Sequence, residues 1–268
     1  MQKIIITTFF ILSLVTTSYA QESNSEQLSQ KLFIQALHDL EKNDYAQALK
    51  NLNQVIKINP TDPEVFITRA EVYEIMHKDN LSLEDYDQAV RLQPDSNYAL
   101  FRRCKMRFKV RNVKGALRDI NLVIELKPDF IEAYYTRGEI YYVSERYESA
   151  ISDFSYVINQ DPDYLEAYTV RAQVYIKAKY YDDGMKDLNT VIERDNEHVV
   201  AYYARGRLQE GLGRVKEAIK DYQRIVVLTD KLPEVEQRIK YLEGSKNDAE
   251  PSFMDAWDMR VGEISGEW

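Results

Sequence analysis

Residues 131–164 read IEAYYTRGEIYYVSERYESAISDFSYVINQDPDY, and this stretch decides the fold. Counting Ile131 as position 1, the residues Tyr134, Gly138 and Tyr141 (positions 4, 8 and 11) share one face of a first helix. Ala150, Phe154 and Val157 (positions 20, 24 and 27) share one face of a second. The small residues at positions 8 and 20 let two helices approach closely, while the large ones beside them fill the gap. Pro162 closes the run in a turn.

Outward from this run the same pattern recurs. Pro60, Pro94, Pro128 and Pro162 stand 34 residues apart, and the next two steps land on the turn formers Asn196 and Asp230. A fixed period decides the architecture before any other feature does. It gives six units: 29–62, 63–96, 97–130, 131–164, 165–198 and 199–232. Position 8 is always small (Ala36, Ala70, Cys104, Gly138, Ala172, Gly206), and so is position 20 (Ala48, Ser82, Ala116, Ala150, Gly184, Ala218). Positions 4 and 24 are large and apolar or aromatic throughout. A helix pair of this kind cannot bury its apolar face alone, so stacked neighbours complete the core.

Segments such as Ala133-Tyr134-Tyr135-Thr136-Arg137-Gly138 and Tyr147-Glu148-Ser149-Ala150-Ile151 resemble the motif of the tetratricopeptide repeat family. The resemblance covers 204 of the 268 residues. It implies an all-α, right-handed α-solenoid of six tandem helical hairpins, working as a non-enzymatic holder of other polypeptides. Asp39, Arg107 and Gln209 depart from it, because they stand where the family carries an aromatic. Past the sixth unit, residues 233–245 read as a capping helix that starts at Pro233, with Val235, Ile239 and Leu242 as its apolar stripe.

Two charged positions follow the period. Position 7 is Arg69, Arg103, Arg137, Arg171 and Arg205 in units 2 to 6, and position 23 is Asp85, Asp119, Asp153, Asp187 and Asp221. In unit 1 both change together, to Gln35 and Asn51. Joint presence and joint loss imply contact, so a ladder of partly buried Arg–Asp pairs is expected. Such pairs specify register more reliably than they stabilise.

The opposite face of each first helix, positions 2, 6, 9 and 13 flanked by 5 and 12, is expected to meet a partner. In the family this face lines the concave groove that holds peptides. It is rich in aromatics here. Phe101, Phe108, Tyr135, Tyr142 and Tyr203 lie on it, with Arg102, Lys105, Lys109, Glu139 and Arg207. A basic notch formed by Arg102, Lys105 and Lys109, with aromatic rings beside it, suits an acidic-aromatic peptide. The Lys and Asn clamp with which some family members grip a terminal carboxylate is not matched.

The two ends of the chain differ from the repeats. Lys3, the apolar run Ile4 to Val15 and the close Ser18-Tyr19-Ala20 have the form of a secretory signal peptide over 1–20. The apolar run is shorter than the ~20 residues that span a bilayer. Export to a bacterial periplasm or cell surface, with no membrane anchor after cleavage, is therefore expected. Residues 21–28 lead into the first repeat. Residues 246–268 form an acidic tail with six acidic and two basic residues and both tryptophans, Trp257 and Trp268. The tail reads as a plain terminus, as a docking motif for a partner, or as a segment that docks on the basic notch.

The net charge of -9 disfavours a phosphate-gripping nucleic-acid binder. A single cysteine, Cys104, leaves no internal disulfide to form, and its small packing position suits a buried thiol. His38, His77 and His198 sit in different units without ligand spacing, and Gly206, Gly211 and Gly213 lack the Lys-Ser/Thr of a phosphate loop. No cofactor, metal site or catalytic residue is expected. The expected function is a scaffold or adaptor that holds a polypeptide in its groove, in assembly or stabilisation of an envelope complex. The alternatives are a peptide or small-ligand receptor and a structural oligomer subunit.

Overall fold

The computed structural model describes residues 24–229 and 232–244. The expected signal peptide and acidic tail lie outside them. Thirteen α-helices and no strand are found among the described residues. Helix α1 runs over 24–41, reaching back into the stretch read as a lead-in, and pairs with α2 (Tyr45–Ile58). The next hairpins are α3 (Pro63–Ile75) with α4 (Asp79–Leu92) and α5 (Asn97–Lys109) with α6 (Val113–Leu126). Then come α7 (Ile131–Val143) with α8 (Tyr147–Gln160), α9 (Leu165–Lys177) with α10 (Tyr181–Arg194), and α11 (Val199–Gly211) with α12 (Val215–Leu228). Helix α13 (Pro233–Gly244) follows. The chain forms two compact units, one ending at Pro128 and one beginning at Asp129. Within each, hairpins stack side by side as in an α-solenoid.

Local chemistry sets the helix ends. Asp62 accepts from the Glu64 amide ahead of Pro63, Ser96 accepts from Ala99, and Asn112 accepts from Gly115. Each hairpin turn carries one residue with positive φ: Asn43, His77, Arg111, Glu145, Lys179 and Gly213. These too are 34 residues apart. The amide after each closes back onto the first helix, as Lys78 does onto the Tyr73 carbonyl at 2.8 Å. This is a Schellman-type close, which normally favours glycine, yet five of the six turns lack one.

The small positions are buried. Ala36, Ala70, Cys104 and Ala172 are 0% exposed, as are Ala48, Ser82, Ala116, Ala150 and Ala218. A Cβ added at Gly184 would meet the Ala172 carbonyl oxygen at 3.1 Å, so the backbones of α9 and α10 nearly touch. Position 24 (Leu52, Tyr86, Ile120, Phe154, Leu188, Tyr222) is fully buried in all six hairpins. Burying each such side chain stabilises by roughly 1.5–3 kcal/mol relative to exposure.

Two further rows on the first helices are buried. Position 3 is Val65, Ala99, Ala133, Ala167 and Ala201, and position 10 is Val72, Met106, Ile140, Val174 and Leu208, none more than 2% exposed. In α1 the same positions are Lys31 and His38, both exposed. In α13 the rows continue as the buried Val235 and Leu242, with Ile239 packed against the same core. On the side of α13 where a second helix would pack stand Glu236, Lys240 and Glu243. Lys31 and His38 of α1 and Glu236, Lys240 and Glu243 of α13 are thus all polar.

Candidate functional site

The Arg–Asp residues form pairs inside each hairpin. Arg69 donates from Nε and Nη2 to Asp85 at 2.7 and 2.6 Å, and Arg103 donates likewise to Asp119 at 2.9 and 2.7 Å. Arg137–Asp153, Arg171–Asp187 and Arg205–Asp221 repeat the geometry at 2.7–2.9 Å. The bidentate fork fits a carboxylate plane. Aromatic rings at positions 4 and 11 flank the guanidinium: Tyr134 and Tyr141 for Arg137, and Tyr168 and Tyr175 for Arg171.

The remaining nitrogen, Nη1, reaches the preceding hairpin. Arg69 donates to Asn53 at 2.6 Å, Arg103 to Asp87 at 3.0 Å, Arg171 to Ser155 at 2.8 Å and Arg205 to Asn189 at 2.7 Å. These acceptors all occupy position 25, a row not read from the sequence although its polar residues recur every 34 residues. These four arginines therefore tie their own two helices together and fix the neighbouring hairpin.

The departures from the family pattern are compensated locally. Arg107 replaces an aromatic and donates to both Asp119 and Asp87. In the first hairpin the buried Asp39 accepts from Asn51 at 2.7 Å and Gln35 at 3.1 Å, a network that does without the ion pair. Burial pushes the Asp85 and Asp187 carboxyls above the usual carboxylate range even though an arginine faces each. In units 2 to 6 each arginine thus spends Nε and Nη2 on the aspartate of its own hairpin.

The inner face of the first helices differs from a row of free aromatics and cations. In the first unit Arg102 pairs with Glu74, lies 3.5 Å from Glu71 and takes part in a contact with the Tyr98 hydroxyl, which itself donates to Glu71. Lys109 pairs with Asp79 at 2.7 Å. Of the expected notch, only Lys105 lacks an ion pair among the described residues, and it lies over the Phe101 ring. Phe101 and Phe108 are half-buried. Exposed apolar side chains stand elsewhere on this face: Ile34 (66%), Leu37 (42%) and Ile75 (53%).

In the second unit the Tyr135 ring stacks on Tyr164 and meets Phe154 edge-on, with centroids 5.2 and 5.5 Å apart. Burial raises its hydroxyl pKa. Tyr142 lies near Tyr147, and Tyr203 near Tyr222. Much of the aromatic row therefore packs hairpins. Glu139 and Arg207 are half-buried, with Arg207 over the Tyr203 ring. Glu210, 5% exposed, accepts from the Tyr222 hydroxyl at 3.0 Å and from Arg238 of α13. Arg238 thus stands to Glu210 as Arg102 stands to Glu74, 28 residues apart in both cases.

A helix pair of 34 residues, small at positions 8 and 20, has now been traced six times. A sequence-family description of the tetratricopeptide repeat matches residues 169–233. The match covers most of the fifth hairpin and the sixth, and all six hairpins share the fold of that repeat. A tetratricopeptide repeat protein from Parabacteroides merdae is similar in fold, with 19% identity, a TM-score of 0.73, and coverage of 90% of this chain and 97% of that one. Pseudomonas aeruginosa pilF matches at 13% identity and a TM-score of 0.64, over 81% of this chain and 99% of that one. YrrB, described as a tetratricopeptide repeat protein with an unusual peptide-binding site, matches at 15% identity and a TM-score of 0.57, over 71% and 97%. No curated protein matches the chain. Among the described residues no three His, Cys, Asp or Glu converge as metal ligands, and no helix is long and apolar enough to cross a membrane.

Proposed function

We propose that this tetratricopeptide repeat protein is a non-enzymatic scaffold that holds a segment of another polypeptide on the inner faces of its first helices. One observation carries the reading. Positions 3, 7, 8 and 10 keep their chemistry through repeats 2 to 6 and are spent on packing, whereas position 9 reads Leu37, Glu71, Lys105, Glu139, Gln173 and Arg207 over all six. A face that varies on an invariant frame suits recognition of an irregular partner. Exposed Ile34, Leu37 and Ile75 supply apolar contact area on it. The signal-like residues 1–20 support a place outside the inner membrane, in assembly or stabilisation of an envelope complex.

The test is affinity capture from envelope extract with residues 21–268 as bait, beside an Ile34→Ser, Leu37→Ser, Ile75→Ser variant. These side chains are exposed, so the fold should stay within about 0.5 kcal/mol per change. A protein retained by the parent and lost by the variant supports the reading. Equal retention by both moves the binding surface off this face.

A further inference from the structure

The turns of the fourth and fifth hairpins enclose a cleft of about 340 Å³, lined by Glu145, Arg146, Tyr147 and Glu148 from one and Tyr180 from the other. These are positions 15 to 18 of one repeat and 16 of the next, none of them an inner-face position. The backbone sets the arrangement. Glu145 takes the positive φ of its turn, 57°, and its amide closes onto the Tyr142 carbonyl at 2.9 Å. Helix α8 then starts at Tyr147, so one acid stands just before the helix and Glu148 stands in its first turn.

Each lining group is held differently. The Arg146 guanidinium lies 4.4 Å from the centroid of Tyr141, a ring outside the cleft, and its charge is drawn there. Tyr180 donates its hydroxyl to Glu148 Oε1 at 2.9 Å, which fixes ring and carboxylate together. The ring stays 46% exposed, edge-on to Tyr175. Tyr147 is half-buried beside Tyr142. Glu145 and Glu148 are both exposed, and among the described residues neither carboxylate has an ion pair. Two carboxylates against one arginine give the lining a charge of 1 - 2 = -1.

A cavity walled by two tyrosines and two carboxylates suits the stem and the head of one long basic side chain. The rings cover methylenes and face the cation, and the carboxylates meet its charge. An anion entering here would face both acids, while the arginine that could hold it is stacked on Tyr141. We propose that this cleft receives a lysine or arginine side chain of a partner polypeptide, its cation between Glu145 and Glu148 and its stem against Tyr147 and Tyr180. The cleft is an attachment point at the hairpin turns and does not rest on the inner face being a binding surface.

The probes are three capped tripeptides, acetyl-Gly-Arg-Gly-amide, acetyl-Gly-Lys-Gly-amide and acetyl-Gly-Glu-Gly-amide, each titrated into the full chain and followed by backbone amide shifts in heteronuclear NMR spectra. A basic peptide should move the amides of 145–149 and 180, and the acidic one should not. Glu145→Gln with Glu148→Gln, both at exposed sites, should weaken that binding about five-fold. Tyr180→Ala should weaken it about three-fold by removing the ring. Tyr180→Phe keeps the ring and releases Glu148 from its hydrogen bond, so binding should hold or tighten, a split that a merely structural role would not produce. Spectra unchanged outside the cleft show that each variant folds. No shift with either basic peptide at millimolar concentration, or binding indifferent to both glutamate substitutions, overturns the proposal. Tighter binding of the glutamate peptide overturns it as well and assigns the cleft to Arg146.

Discussion

Arg171 and Asp187 face each other across one hairpin, with Nε donating to Oδ2 and Nη2 to Oδ1, both at 2.8 Å. The aspartate side chain is 8% exposed, and burial raises its pKa against the pull of the arginine. Removing the cation leaves a buried, unpaired carboxylate. Arg171→Ala is expected to cost about 3 kcal/mol at neutral pH, read by urea melts. The sign of the pH effect follows from Asp187. Without Arg171 its folded pKa rises further above the unfolded value, so the variant's fold binds a proton that the unfolded chain does not. The penalty therefore shrinks as the solution is acidified and is full at neutral pH. A neutral-pH cost below about 1 kcal/mol would show that the pair is merely tolerated.

The six hairpin turns allow a matched pair of backbone tests. Gly213 has φ of 74° with nothing within 4 Å of the place a Cβ would take, while Glu145 adopts φ of 57° with a side chain in place. Gly213→Ala adds no clash and is expected to cost about 1 kcal/mol through the left-handed backbone alone. Glu145→Gly removes the same strain but frees the unfolded chain, so a gain of at most about 1 kcal/mol is expected. Thermal melts on the two single variants decide it. Equal shifts of the same sign would contradict the assignment.

Cys104 occupies the small position of the third hairpin at 0% exposure, and burial pushes its thiol up to about 12. At pH 8 it is protonated and sealed in the fold. Labelling by an aromatic disulfide reagent should be slower than that of a free thiol by about three orders of magnitude or more, and should become immediate in denaturant. Rapid labelling of the native protein would mean that α5 and α6 separate readily.

The period carried most of the architecture, because a 34-residue recurrence of small and large side chains specifies both helices and their contact. The Arg–Asp partners were legible for the same reason, since Gln35 and Asn51 change together where the pair is missing. Less was legible of the inner face. Sequence places Arg102 and Lys109 among the cations offered to a partner, but which acids reach them depends on the stagger between hairpins. That stagger sets Glu71, Glu74 and Asp79 against them. Tyr135 is similar: its helical position faces the groove, yet its ring turns to stack on Tyr164. The position-25 row was present in the sequence as Asn53, Asp87, Ser155 and Asn189, but its meaning needs the third nitrogen of each arginine.

Tyr86 and Tyr222 occupy position 24 of the second and sixth hairpins, both 0% exposed, and their hydroxyls are satisfied differently. Tyr222 donates to Glu210 at 3.0 Å, whereas the Tyr86 hydroxyl is buried without a hydrogen-bond partner. Removing a hydroxyl bonded to a charged acceptor leaves that acceptor short of a donor. Tyr222→Phe is therefore expected to cost about 1–2 kcal/mol. Tyr86→Phe removes an unpaired polar atom from the core and should be neutral or stabilise by up to about 1 kcal/mol. Burial raises both phenols above the ordinary value near 10. The folded state holds these protons longer than the unfolded chain does, so the stability tied to them is full below pH ~10 and is lost as pH rises above it. Either phenylalanine variant should accordingly lose less stability than the parent between pH 9 and about 11. Parallel urea melts across that range give both results. A destabilised Tyr86→Phe beside a neutral Tyr222→Phe would reverse the assignment of which hydroxyl is satisfied.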